Sequence, residues 1–113
     1  DRREFLLSDH RRYGVPIILT ETSINGEPDH QIRWWRESRK LFEDLLDEGL
    51  NLGGYTWFPA MDLINWDYRY GTAPVECYLE PMGFIQLKMN PGREFERRKG
   101  ELARAMEEDL KRI

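Results

Sequence analysis

Glu21 is the carboxylate whose neighbours most favour chemistry. It closes a continuous apolar run, Val15-Pro16-Ile17-Ile18-Leu19-Thr20-Glu21, and the turn residues Thr22 to Gly26 follow it. Parallel α/β sheets and (β/α)8 barrels collect their reacting groups at strand carboxyl ends, because those ends converge on one mouth. A strand-end glutamate can equally cap a turn or pair with a cation, and position alone leaves both roles open. A second strand pattern ends at Trp57, and Asp62, Asn65, Trp66, Tyr68 and Tyr70 come soon after it. Such a mixture suits carbohydrate, whose C–H faces stack on aromatic rings while its hydroxyls bond to carboxyl and amide groups. The same aromatics could instead form a core beneath a long loop.

Other reactive side chains are sparse. Cys77 is the only cysteine and His10 and His30 are the only histidines, so an internal disulfide is excluded and no metal site or cofactor is expected. Glu76 and Glu80 could reach into the mouth as specificity residues, although a loop carboxylate is usually solvated. Seventeen Lys+Arg and twenty-one Asp+Glu, interleaved to a net charge of -4, argue against nucleic acid as a partner. No apolar run approaches the roughly 20 residues of a membrane span, so no membrane partner is expected, and the lone cysteine favours a reducing, cytoplasmic setting.

The elements that must position Glu21 and Trp57 follow from periodicity and punctuation. Residues 1 to 12 read as the last turns of a helix stopped at Tyr13-Gly14, and Val15–Glu21 as a strand buried on both faces. From Pro28 to Glu48 a helical stripe runs through Ile32, Trp35, Phe42 and Leu46, with Trp34, Leu41 and Leu45 beside it, and Gly49 ends it. Leu50 to Trp57 is the second strand, and a crossover of this length joins parallel neighbours. Phe58 to Met89 shows no sustained period, although Met82–Leu87 alternates enough for a short extra strand or hairpin edge. Asn90 and Pro91 read as the N-cap and first position of a last helix, with a stripe of Phe95, Leu102, Met106, Leu110 and Ile113. Two strands cannot close a sheet, so other chain must cover their edges. The opening Asp1-Arg2-Arg3-Glu4 is neither a signal peptide nor an initiator and reads as a cut within a longer protein.

Two stretches resemble a known family. Pro16-Ile17-Ile18-Leu19-Thr20-Glu21-Thr22-Ser23 is similar to the seventh-strand motif of family 1 glycoside hydrolases and their clan A relatives, in which an Ile-Thr-Glu-Asn-Gly type run carries the catalytic nucleophile. Gly54-Tyr55-Thr56-Trp57 through Asp62-Leu63-Ile64-Asn65-Trp66 and on to Tyr68-Arg69-Tyr70-Gly71 is similar to the eighth-strand motif. Thr22-Ser23 stands where the family has Asn-Gly, one extra residue separates Trp57 from Asp62, and Asn65 replaces the usual glutamate.

The resemblance implies an α/β fold forming the C-terminal quarter of a (β/α)8 TIM barrel: the end of helix six, strand seven, helix seven, strand eight and helix eight. All 113 residues would then belong to one glycosidase domain that is incomplete on its own. It implies β-glucosidase-like retaining hydrolysis of a β-linked saccharide or glycoside, with Glu21 as nucleophile. Trp57 would stack under the sugar, with a non-proline cis peptide just after it. Asn65 and Trp66 would contact hydroxyls, and Tyr68 would line the mouth. The acid/base carboxyl belongs to the fourth strand, so the remaining barrel segments, as companion chains, are an implied partner. The alternative is a non-catalytic fragment that binds carbohydrate or assembles with itself, in which Glu21 is structural.

Overall fold

Asp1 starts the first helix, α1 (Arg2–Tyr13), by accepting the Arg3 backbone N–H on its side chain at 2.8 Å. Gly14 ends it at φ 63°, a left-handed position that glycine adopts without steric cost. The computed structural model describes residues 1–111. Ile113, expected on the stripe of the last helix, lies outside the described residues.

Strand β1 (Ile17–Thr22), helix α2 (Pro28–Asp47) and strand β2 (Leu52–Trp57) form the expected crossover, and β1 and β2 pair in parallel. The register carries two compensating irregularities. Ile17 faces Leu52 and Ile18 faces Gly54, so β2 spends an extra residue; then Leu19 faces Tyr55 and Thr22 faces Trp57, so β1 spends one in return. Burial on both faces of β1 is not observed. Ile17 and Leu19 pack against the helices, whereas Ile18 is 61% exposed, because no second layer among the described residues covers that face.

On α2 the buried positions are Gln31, Trp35, Ser38, Phe42 and Leu45, spaced by alternating fours and threes along one face. Leu46, assigned to the stripe by sequence, is half exposed, while Leu45 is fully buried. The seam lies one position further round than the apolar residues alone suggest, since the polar Gln31 and Ser38 complete it.

Beyond β2 the chain is more structured than its lack of period indicates. β3 (Leu63–Ile64) pairs antiparallel with β4 (Leu79–Glu80), and between them lie two 3-10 turns, Trp66–Arg69 and Val75–Tyr78. β5 (Ile85–Met89) and β6 (Phe95–Lys99) form an antiparallel hairpin, which realises the hairpin edge expected near Met82–Leu87. The expected helix start at Asn90-Pro91 is overturned. Those residues make the hairpin turn, where the Asn90 side chain accepts the Glu94 N–H at 2.9 Å and Arg93 takes φ 65°. Phe95 is therefore a strand residue, and the last helix, α3 (Glu101–Leu110), begins only after Gly100. Asn-Pro-Gly is turn chemistry, and it prevails over the capping reading.

Two apolar clusters hold these pieces together. Leu6, Phe42, Leu45, Leu50 and Leu52 join α1, α2 and the start of β2; Trp35, Trp57, Leu102 and Met106 join α2, the end of β2 and α3. Tyr55 packs against both clusters. Asp109 on α3 binds across to α2, accepting from Trp35 Nε1 at 3.1 Å and Arg36 Nε at 3.2 Å. The molecule is a slab of 52 × 34 × 18 Å with a radius of gyration of 17.0 Å. A compact chain of this length would reach about 13 Å. Among the described residues, six strands lie in three two-stranded sheets and no barrel closes.

Candidate active site

Glu21 is exposed at the carboxyl end of β1, and the irregular register explains why. In a regular strand residues alternate sides. Here the extra residue between Leu19 and Thr22 lets both of them face the helices, leaving Thr20 and Glu21 open to solvent together. Thr22 is buried and fixed: its Oγ1 accepts from Trp34 Nε1 at 2.9 Å, and its carbonyl accepts from the Phe58 N–H at 3.2 Å. Trp34 in turn lies beneath the Arg2 guanidinium, 4.0 Å from the ring centroid. Glu21 thus stands next in the chain to a residue held through both its side chain and its carbonyl.

Trp57 ends β2 opposite Thr22, as the spacing requires, but its ring is turned toward the helices. It is 8% exposed, packs with Trp35, Leu102 and Met106, and donates its indole N–H to the Met82 carbonyl at 2.9 Å. The cis peptide of this region is Phe58–Pro59, one bond later than the implied non-proline bond after Trp57.

Past the strand end, the polar residues separate into two roles. Asp62 is 7% exposed and accepts the Gly83 N–H on Oδ1 at 3.0 Å and the Leu87 N–H on Oδ2 at 3.1 Å, so it ties the returning segment in place. Gly83 is required there, since a Cβ would stand 2.3 Å from the Met61 carbonyl carbon. Asn65 faces outward: its Oδ1 caps the following turn through the Asp67 N–H at 2.8 Å, and its Nδ2 donates to Glu80 Oε1 at 2.7 Å. Trp66 is 79% exposed, and Tyr68 sets its ring edge-on to Tyr78 with centroids 5.6 Å apart. Asn65, Trp66, Tyr68, Ile64 and Arg69 line one hollow of about 230 Å³.

Arg69 was not singled out by sequence. Its guanidinium lies 5.5 Å from the centroids of both Trp66 and Tyr70, and the i, i+3 spacing of Trp66 and Arg69 within one turn is the signal that could have found it. Glu76 is engaged by the Arg93 guanidinium, which hydrogen-bonds it and holds its carboxyl below the usual range. Among the described residues, no group of three or more His, Cys, Asp or Glu side chains could hold a metal ion. No helix among them is long and apolar enough to cross a membrane.

No protein-family model and no curated protein matches the chain. Solved structures do. A crystallised β-glycosidase is 19% identical, with 97% of this chain superposed on 24% of that one at a TM-score of 0.76. β-Glucosidase 2 from the fungus Trichoderma reesei is 23% identical over 97% of this chain and 24% of its own, with a TM-score of 0.72. A β-glucosidase from Thermotoga maritima, solved in complex with glucoimidazole, is 14% identical over 96% and 25% respectively, at 0.76. The chain spans about a quarter of the length of each of these structures. Its α1–β1–α2–β2 order, the β3–β6 segment that follows and the closing α3 thus have the fold of the C-terminal quarter of a β-glucosidase TIM barrel.

Proposed function

We propose that this chain is the C-terminal part of the catalytic domain of a retaining β-glycosidase, and that Glu21 is its nucleophile. The observation that carries the reading is the exposure of Glu21 at the carboxyl end of β1, beside the end of β2, where an irregular register turns it outward from a firmly held Thr22. Glu21 would attack the anomeric carbon as the bond to the departing oxygen breaks, giving a glycosyl ester. A second carboxyl, supplied by the remaining barrel segments about 5 to 5.5 Å away, would protonate that oxygen and later deprotonate the incoming water. Asn65, Trp66 and Tyr68 would contact the sugar from the hollow they share, while Trp57, buried against Trp35, Leu102 and Met106, would support the strand end from within rather than stack on the sugar. These residues alone are expected to be nearly inactive, since lost proton donation costs about 10²–10⁴-fold.

The test is trapping in the complete barrel containing this segment. A dinitrophenyl 2-deoxy-2-fluoro-β-glycoside has a leaving group that needs no protonation and an ester that hydrolyses slowly. Peptide mass spectrometry should place the glycosyl adduct on Glu21, and Glu21→Gln should abolish both the adduct and turnover, by roughly 10⁴-fold or more. An adduct on another carboxylate, or turnover retained in the variant, would overturn the assignment and favour a carbohydrate-binding segment.

A further inference from the structure

Glu80 does not line the hollow but meets Asn65, which does, from fifteen residues further along the chain. β3 and β4 pair so that Leu63 faces Glu80 and Ile64 faces Leu79, and the Asn65 N–H continues the ladder to the Tyr78 carbonyl at 2.8 Å. This pairing delivers the Glu80 carboxylate to the Asn65 amide, 2.7 Å from Nδ2. Asn65 is itself held, because its Oδ1 is occupied by the Asp67 N–H. The arrangement leaves one Nδ2 hydrogen of Asn65 and the second Glu80 oxygen without a hydrogen-bond partner among the described residues. A donor and a charged acceptor, set side by side by the hydrogen bond between them, match two adjacent hydroxyls of a sugar ring, one accepting and one donating. Trp66 beside Asn65 supplies an exposed face for the C–H side of the same ring.

We propose that Glu80, presented by Asn65, is a specificity residue that reads vicinal hydroxyls of a pyranoside bound against Trp66. The assignment rests on the glycosidase reading for its ligand class but not on Glu21 or on turnover. Glu80 differs in this from Glu76, whose carboxylate is consumed by Arg93. Its supporting strand is only two residues long, so the carboxylate is held by the Asn65 bond as much as by the ladder.

The experiment is a titration of the full chain with methyl β-glucopyranoside and its singly deoxygenated analogues, followed through the Trp66 indole N–H resonance. The intact chain should show a saturable shift with the parent sugar and weaker binding of at least one deoxy analogue. Glu80→Gln keeps an oxygen for Asn65 and should fold with an unchanged melting temperature. It should weaken the parent sugar about tenfold or more, the scale of a hydrogen bond to a charge, and level its preference over that analogue. Undiminished preference in Glu80→Gln would overturn the proposal. So would the absence of a saturable shift in the intact chain, and if fluoroglycoside trapping still labels Glu21, the glycosidase reading survives that failure.

Discussion

Replacing Asp62 by asparagine tests whether this residue, which sequence groups with the sugar-facing polar side chains, is instead a structural clamp. Asp62 is 7% exposed and its two oxygens each accept one backbone N–H, from Gly83 at 3.0 Å and Leu87 at 3.1 Å. Asparagine has the same shape but only one acceptor oxygen, so one of these N–H groups must face an NH2 group. The loss is one charge-assisted hydrogen bond whose buried donor is left unmet, about 1.5–3 kcal/mol. Relief from burying a charge offsets part of this, for a net cost of about 2 kcal/mol. An unfolding entropy near 2.1 cal/mol/K per residue gives about 0.24 kcal/mol/K for a chain of this length, so Tm should fall by roughly 8 °C. Amide exchange gives the local readout. The Gly83 and Leu87 amides should lose protection in Asp62→Asn while Leu45, at the centre of the other cluster, loses less. Unchanged protection at both amides, or a Tm within a degree or two of the parent, would refute the clamp.

Two further perturbations probe the frame. Gly83→Ala forces a Cβ to within 2.3 Å of the Met61 carbonyl carbon and 2.5 Å of the Asp62 nitrogen, both main-chain atoms, and should cost about 3 kcal/mol. Urea denaturation should show a lower midpoint at an unchanged slope, and a midpoint equal to the parent's would contradict the close approach. Acid should loosen the contact between α2 and α3. Desolvation pushes the Asp109 carboxyl up, but hydrogen bonds from Arg36 and Trp35 and the nearby guanidinium charges outweigh it and hold the group below its ordinary value. Glu107, bonded to Lys99, is lowered as well. A depressed carboxyl stabilises the fold fully above its unfolded pKa of about 4, and that contribution disappears as pH falls through the lower folded value. Tm should therefore drop as pH is lowered from about 4, and Asp109→Asn should flatten part of that dependence; an unaltered pH profile would show that Asp109 contributes none of it.

Local signals in the chain specify the crossover and its two strand ends. Pro28, Gly49 and the helical period between them are local signals, as is the apolar run ending at Glu21, so the strand–helix–strand order and the placement of Glu21 and Trp57 were legible. Local signals also misled: Asn90-Pro91 satisfies a helix cap as well as a turn, and the choice went to the hairpin because β5 and β6 pair across it. The direction in which each candidate residue faces depends on contacts between distant segments. Trp57 is turned into the helix layer by Trp35, Leu102 and Met106, Asp62 is drawn inward by amides more than twenty positions along the chain, and Glu80 meets Asn65 only through strand pairing. Glu21 is exposed because β1 spends an extra residue against β2, a mismatch that exists only once the two strands are in register. Periodicity records which residues could share a face, whereas register and long-range hydrogen bonds fix which of them do, since those energies arise only when distant segments meet.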